Sequence, residues 1–281
     1  MRLEPGMRVF ITGAASGIGR ATALAMAERG LQLFLADVDG TGLEETRRLA
    51  EARGATAEAR ILDVTQLDGV AALADEWHAA HGPMHVVMNV AGVGVFGLIE
   101  DMRHADWQRV LGVNLWGTIH VIEHFLPPMI RARRGHLVNI ASLAGLVGLP
   151  WHAAYCTSKW AVVGLSEVLR YDFRQHGIGV TVVCPGAVDT PLQRTTPILG
   201  VPSDRPALID LHQRFARHAL SPDTVARITR DAIERNRFLV ITSWDVRLLY
   251  FVKRHLPRTH HLMMRLLSPF LNRLRTEGRG I

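Results

Sequence analysis

The chain has 281 residues, of which 48% are hydrophobic, and a formal net charge of +6. This length and apolar content suit one large α/β domain with a substantial core. Two cysteines are too few for a disulfide scaffold, no N-terminal signal peptide is evident, and no apolar stretch approaches the roughly 18 residues of a membrane span. We therefore expect a cytoplasmic protein that is at most peripheral to a membrane.

Short apolar runs and longer helical patterns alternate along the chain. The apolar runs cover residues 7–12, 31–36, 58–62, 85–89, 136–141, 179–184 and 238–242, and the helical patterns cover 17–29, 41–53, 66–80, 103–111, 115–132, 151–175 and 222–235. This alternation predicts a Rossmann-like, doubly wound α/β fold, with a mostly parallel seven-stranded sheet and helices on both faces. Functional side chains of such folds gather at the carboxyl ends of the strands.

The first apolar run leads directly into a glycine-rich segment, residues 13–19, which a strongly helix-forming sequence follows. Glycines here permit a tight strand-to-helix turn and close approach of the backbone to a pyrophosphate, which the helix N-terminus attracts. The spacing departs from the usual dinucleotide fingerprint, and a glycine-rich turn also has a purely structural interpretation. The second run ends at Asp37, whose carboxylate is placed to bind an adenosine ribose.

Three residues in the middle of the chain form a candidate proton-transfer group. Tyr155 and Lys159 are four residues apart, so on a helix they share one face. A free tyrosine has a pKa of about 10, and a neighbouring ammonium lowers it towards the pH at which acid–base catalysis is most effective. Ser142, at the end of an apolar run, could hold a substrate oxygen against the phenol. Taken alone, the Tyr-x-x-x-Lys spacing also fits two surface residues.

Together these motifs resemble the short-chain dehydrogenase/reductase family, in its single-domain form with a Thr-Gly-x-x-x-Gly-x-Gly motif, over roughly residues 7 to 192. The resemblance implies a nicotinamide cofactor. The residues that match the family's cofactor segments are Thr12, Gly13, Ser16, Gly17, Ile18, Gly19, Asp37, Asp63, Val64, Asn89, Ala91, Gly92, Tyr155, Lys159, Pro185, Gly186, Val188 and Thr190. Val90 departs from the family's Asn-Asn-Ala-Gly motif.

The family's catalytic tetrad falls on Asn114, Ser142, Tyr155 and Lys159. The resemblance implies reversible hydride transfer between the nicotinamide and a secondary alcohol or ketone. Tyr155 would exchange the substrate proton, and Ser142 would hydrogen-bond to the substrate oxygen. Lys159 would hold the nicotinamide ribose and lower the pKa of the tyrosine, while Asn114 would anchor a water that connects Lys159 to solvent. No metal is implied, and the fourteen histidines are scattered.

Asp37 favours NAD over NADP, because its carboxylate would repel the 2′-phosphate of NADP. NADP-preferring relatives usually place a basic residue at positions that Ser16 and Val38 occupy here. We expect NAD, with NADP less favoured.

The residues expected to surround the substrate are mostly apolar, which favours a lipophilic alcohol or ketone as the substrate. The candidate residues are Leu143, Ala144, Leu149, Trp151, His152 and Val188. A proline-rich stretch from about 191 to 220 is predicted to be a substrate lid, since such a long connection is unusual in a compact domain. Trp151 and His152 could equally face the substrate or pack in the core.

The chain divides into one dehydrogenase-like domain, residues 1–245, and a basic amphipathic extension, residues 246–281. Residues 247–281 contain eight Lys or Arg and one acid, Glu277, so they carry +7 and the remainder of the chain carries 6 − 7 = −1. Apolar residues recur at helical spacing between Leu262 and Leu274. Such a helix can pack on its own domain, close a dimer or lie on an anionic membrane.

Other functions remain open at this point. The fold could serve a nucleotide-binding regulator without turnover, although the intact tetrad argues against this, or a membrane-surface protein acting through the basic extension. Nucleic-acid binding is disfavoured, since no reader module accompanies the charge. By analogy with the family we expect a homodimer or homotetramer whose contacts involve the helices near 115–132 and 151–175.

Overall fold

The predicted parallel sheet is present. The computed structural model describes residues 1–201, 205 and 217–276, except for the side chains of residues 270, 271 and 273–276. The described residues form one seven-stranded parallel sheet of order β3-β2-β1-β4-β5-β6-β7. Its strands are β1 (Arg8–Thr12), β2 (Gln32–Asp37), β3 (Thr56–Ile61), β4 (Val86–Asn89), β5 (Gly135–Ile140), β6 (Ile178–Cys184) and β7 (Leu239–Ile241). Each lies at a position predicted from an apolar run, so the doubly wound α/β fold is confirmed.

The helices also follow the sequence pattern. They are α1 (Gly17–Ala27), α2 (Gly40–Glu51), α3 (Leu67–His81), α4 (His104–Leu111), α5 (Gly117–Ala132), α6 (Ala153–Asp172), α7 (Pro191–Thr195), α8 (Pro222–Glu234), α9 (Trp244–His255) and α10 (Pro257–Thr276). A π-helical segment, Gly112–Trp116, joins α4 to α5. Within the described residues, no helix is long and apolar enough to cross a membrane.

Helices cover both faces of the sheet because alternate strand residues point to opposite sides. In β1, Val9 and Ile11 pack with residues of α1, α2 and α8. Phe10 points the other way, towards α3 and α5, where it stacks on Phe125 with ring centroids 4.0 Å apart and meets Trp77 edge-on. These side chains are fully buried, so the two layers hold the ends of the strands in fixed positions.

The turn from β1 to α1 requires glycine at two positions. Gly13 has a φ of +67°, and a Cβ there would lie 2.7 Å from the backbone of Ala91. A Cβ at Gly19 would lie 1.9 Å from the carbonyl oxygen of Gly13. Only the absence of side chains lets the helix approach the end of the strand this closely.

The described part of the C-terminal extension is helical and packs on the domain. Val246 of α9 is buried against Gly186, where an added Cβ would lie 2.7 Å from Val246 Cγ2. The predicted boundary between residues 245 and 246 falls inside α9, near its start, because this helix begins at Trp244. Of the predicted lid, α7 and residues 196–201 are described, whereas 202–204 and 206–216 lie outside the described residues.

We expect Gly19→Ala to lower the free energy of unfolding by about 3 kcal/mol, since overpacking against rigid backbone costs on the order of 1–3 kcal/mol or more. Gly164→Ala is the matched control, because a Cβ at Gly164 in α6 would meet nothing within 4 Å. It should stabilise the protein by about 0.5–1 kcal/mol. Denaturant unfolding measures both; equal effects would contradict the close contact.

Candidate active site

The predicted residues of the cofactor turn and of the segment after β4 meet at the carboxyl ends of β1 and β4. Thr12 Oγ1 accepts hydrogen bonds from the backbone N–H groups of Val90, at 3.1 Å, and Ala91, at 3.2 Å. This side chain therefore ties the glycine-rich turn to residues 89–92. Val90 contributes through its backbone, so its departure from the family motif leaves this junction intact.

A buried chain of polar side chains fixes the neighbouring elements. Asn89 Nδ2 donates to Asn139 Oδ1 at 2.9 Å, and Asn139 Nδ2 donates to Ser166 Oγ at 2.9 Å. These hydrogen bonds link β4, β5 and α6, and β5 and α6 carry or flank Ser142, Tyr155 and Lys159. Buried networks of this kind specify one arrangement, because an unpaired buried amide is costly.

Ser142 and Tyr155 come together as the sequence predicts. Ser142 follows β5, and its Oγ accepts from the N–H of Ala144 at 3.1 Å, which starts a short 3₁₀ turn. Tyr155 lies in the first turn of α6, close enough to Ser142 for that side chain to lower the pKa of its phenol. The two hydroxyl-bearing residues therefore lie close together.

Lys159 lies one helical turn after Tyr155 and is 4% exposed. Its Nζ donates to the carbonyl oxygen of Ile140 at 2.9 Å and lies 5.9 Å from the centroid of the Tyr155 ring. Burial lowers the pKa of Lys159 to about 8, because an ammonium without water is less stable than a neutral amine.

The expected lowering of the tyrosine pKa is wrong for this structure. Burial raises the pKa of Tyr155 to about 12, and the hydrogen bond from Ser142 offsets only part of this effect. The physical reason is that Lys159 directs its ammonium at Ile140 and lies beside the tyrosine ring. At neutral pH, the Tyr155 phenol therefore keeps its proton.

Asn114 occupies the π-helical segment and is 1% exposed. Its Oδ1 accepts from Val93 N at 2.8 Å, and its Nδ2 donates to Val93 O at 3.0 Å and to Ser158 Oγ at 3.0 Å. Ser158 in turn donates to the carbonyl oxygen of Tyr155 at 2.8 Å. Asn114 therefore braces both the segment after residue 92 and the first turn of α6, and π-bulges often lie at functional sites.

Two glycines leave an open cradle among these side chains. A Cβ at Gly92 would meet Asn114 Oδ1 at 3.3 Å and Lys159 Nζ at 3.5 Å. At Gly17, where φ is +51°, a Cβ would meet Thr190 Cγ2 at 3.1 Å. The cradle thus extends from the glycine-rich turn to Lys159 with Thr190 on its far side, which fits a dinucleotide lying across the strand ends.

Asp37 stands beside the turn, as predicted. Its Oδ2 accepts from Ala15 N at 2.9 Å and its Oδ1 from Asp39 N at 3.0 Å. These backbone bonds fix the carboxylate in a partly exposed position. Val38, the next residue, is 65% exposed.

The remaining predicted cofactor residues lie along the same edge. Asp63 is exposed and its Oδ1 accepts from Thr65 N at 2.9 Å, whereas Val64 is buried against the start of α5. Pro185 O accepts from Leu143 N at 2.7 Å, which joins the two loops on either side of the site. Val188 and Thr190 are buried.

Sequence reasoning missed Phe96. Its ring meets the Tyr155 ring edge-on, with centroids 5.6 Å apart, and packs on His152 at 4.1 Å. His152 Nδ1 donates to Pro150 O, 2.7 Å away, and burial lowers the pKa of His152, so the ring is neutral at pH 7. Phe96 lies only four residues after the 89–92 motif, and this short distance along the sequence could have indicated that it lies near the site.

Trp151 is part of the core here. It is 8% exposed and packs with Leu98, Ile198 and Val201 under the described part of the predicted lid. Among the described residues, no group of three His, Cys, Asp or Glu side chains is placed to hold a metal ion.

Comparisons with known proteins agree with this geometry. The short chain dehydrogenase profile matches residues 7–197. The chain is 35% identical over 244 residues to the putative oxidoreductase SadH of Mycobacterium tuberculosis, covering 86% of this chain and 88% of the relative. It is similar to a short chain dehydrogenase/reductase from Burkholderia phymatum solved in complex with NAD, with 34% identity, a TM-score of 0.78, and 90% and 96% of the two chains covered. A metagenomic short-chain oxidoreductase solved in complex with NADP is 31% identical, with a TM-score of 0.70 over 85% and 96% of the two chains.

The buried lysine can be tested directly, because the chain contains two lysines, Lys159 and Lys253. We expect ¹³C NMR of the lysine Cε atoms to show Lys159 titrating near pH 8, against 10.5 for a free side chain. Since its folded-state pKa lies below the unfolded value, Lys159 costs stability below pH 8, and this cost disappears as the pH rises to 10.5.

Lys253→Arg assigns the two resonances and leaves Lys159 in place. A Lys159 signal that titrates at the free value would show that water reaches the ammonium and that the burial argument is wrong.

Proposed function

Because the chain belongs to the short chain dehydrogenase family, we propose that it transfers a hydride between a nicotinamide cofactor and a secondary alcohol or ketone, with Tyr155 as the general acid or base. The observation that carries this proposal is the group formed by Ser142, Tyr155 and Lys159: the two hydroxyl-bearing residues are neighbours, and a buried ammonium lies one helical turn from the tyrosine. The cofactor, when bound, supplies or accepts the hydride.

The protonation states support a role in both directions. A phenol with a raised pKa is the neutral form required to protonate a developing alkoxide during reduction. In oxidation Tyr155 must first release its proton, and turning the Lys159 ammonium from Ile140 O towards the phenol would favour that release. Ser142 would hold the substrate oxygen and stabilise its charge. Asn114 would position the backbone near Lys159 and a water between that lysine and solvent.

The cofactor residues proposed are those that line the cradle, from the glycine-rich turn to Thr190. NAD is the proposed cofactor, because the Asp37 carboxylate would repel a 2′-phosphate. The basic side chain that follows the turn, Arg20, also supports NAD. Its guanidinium already donates to Thr46, Ala15 and Gly42, so it is not free to bind a 2′-phosphate.

The proposed substrate is lipophilic and uncharged. Phe96 and the neutral His152 form an aromatic wall beside Tyr155. Leu143 and Val188 add apolar surface from the two neighbouring loops. A charged substrate would lose hydration at such a wall without gaining a partner.

We also propose how the protein assembles and where it is located. A homodimer or homotetramer through α5 and α6 is supported by the exposed Val168 and Tyr171 on α6, at 57% and 63%. Light scattering measures the mass; a single-chain mass would overturn this proposal. Both cysteines are free thiols, which supports a reducing, cytoplasmic location. A regulator without turnover is not favoured by the family relationship.

Tyr155→Phe should lower kcat/KM for NAD-dependent oxidation of apolar secondary alcohols by about 10²–10⁴, the usual contribution of general acid–base catalysis. Binding of NADH, followed by its fluorescence, should remain. Tyr171→Phe, an exposed tyrosine in the same helix, is the matched control and should retain full activity.

A Tyr155→Phe variant as active as wild type would exclude the tyrosine mechanism. Cofactor binding without turnover of any alcohol or ketone by wild type would instead favour the regulatory function.

Asp37→Ser should lower the preference for NAD over NADP by about tenfold or more, a change of about 1.4 kcal/mol in relative binding. The reason is the loss of a carboxylate held beside the turn by Ala15. Asp39→Ser is the control, since it removes an equal charge two residues away while serine preserves the cap of α2. Kd values for both cofactors measure the effect; equal shifts in the two variants would contradict a specific role of Asp37.

A further inference from the structure

The outer surface of α9 carries three large apolar side chains in a row. Trp244, Leu248 and Phe251 are spaced i, i+4 and i+7, so they lie on one side of the helix. They are 77%, 53% and 53% exposed. The inner side of the same helix is well packed, since Val246 is buried and Leu249 and Tyr250 contact the core. The exposed row is therefore a true outer face of a firmly docked helix.

The next helix, α10, repeats this arrangement. Leu262 and Leu266, one turn apart, are 55% and 70% exposed. Met264 and Ser268, on the opposite side of the helix, are less exposed. Asn272 Oδ1 accepts from Trp151 Nε1 at 3.0 Å, which attaches the helix to the domain. The described start of the apolar stripe, at Leu262 and Leu266, therefore faces away from the domain.

The charge of these helices has one sign. Residues 246–276 contain seven Lys or Arg and no Asp or Glu. Two of these cations bind backbone carbonyl groups: Lys253 Nζ donates to Leu146 O, and the exposed Arg247 donates to Ile241 O. Arg254, Arg258 and Arg265 are exposed beside the apolar rows. We refer to the outer face of α9 and α10, defined by these three arginines and by Trp244, Leu248, Phe251, Leu262 and Leu266, as the basic apolar face.

We propose that the basic apolar face binds the surface of an anionic lipid bilayer. Trp, Phe and Leu side chains flanked by arginines are the composition of helices that lie in the interface of a membrane. Exposed cations add attraction to anionic headgroups. A second copy of the chain is a poorer occupant, since pairing two such faces would bring like charges together, and the remainder of the chain, at −1, offers little attraction.

The lipid contact would lie next to the proposed substrate site. Lys253 and Asn272 contact Leu146 and Trp151, both in the loop that runs from Ser142 to Tyr155. A lipophilic substrate dissolved in the bilayer would then reach the enzyme from the side that carries this loop. Lipid binding itself does not depend on the proposed function, and its test needs no substrate.

The test is co-sedimentation of the full chain with vesicles of phosphatidylcholine alone or mixed with phosphatidylglycerol. We expect at least tenfold stronger partitioning onto the anionic vesicles, decreasing with added salt. Arg258→Glu with Arg265→Glu, and separately Leu262→Ser with Leu266→Ser, should each lower this partitioning at least tenfold. Arg53→Glu and Ile99→Ser, exposed residues elsewhere on the domain, are the matched controls and should bind as wild type does.

A second measurement guards against variants that fold poorly. The tryptophan emission of wild type should shift to shorter wavelength on anionic vesicles, and most of this shift should disappear in Trp244→Phe. No binding by wild type, or equal loss in the control variants, would overturn the proposal. Self-association in light scattering that the paired substitutions abolish, without vesicle binding, would also overturn it and assign the face to a second copy.

Discussion

Burial of one ammonium group at the carboxyl ends of the strands is the constraint on which the site depends. Lys159 is held in α6 below Tyr155, and its hydrogen bond to the Ile140 carbonyl at the end of β5 replaces water at the charge. An ammonium in such surroundings requires a fixed partner, because desolvation is costly. The side-chain hydrogen bonds from Asn89 to Asn139 and from Asn139 to Ser166 hold this partner in place, because they join β4, β5 and α6.

The same rigid frame places glycines where the chemistry is proposed to occur. Gly13 and Gly92 let the backbone of the turn and of the segment after β4 approach closely, and a Cβ at Gly92 would contact Asn114 and Lys159. Ser142 and Tyr155, each with a hydroxyl group, lie close to each other beside this region. Binding a large cofactor across the strand ends requires rigid packing beneath the site and also requires glycines, which have no side chains, at the surface of the site.

The C-terminal helices connect the site to the outer surface. Their inner side contacts the loop between Ser142 and Tyr155, through Lys253 and Asn272, and thereby supports one wall of the substrate region. Their outer side carries apolar and basic residues that the domain does not cover. One pair of helices therefore has a structural role on one face and, we infer, a lipid-binding role on the other.

The sequence by itself determined the fold and the family and named the residues of the proposed tetrad, because strand and helix periodicity and residue spacing are local properties. It also placed Asp37 at the end of β2. Only the tertiary structure decided the surroundings of individual side chains. It shows that burial raises the pKa of Tyr155, that the Phe96 ring lies beside Tyr155, and that Leu266 faces outward. Burial and contacts between distant segments set these properties, and neither can be read from local spacing.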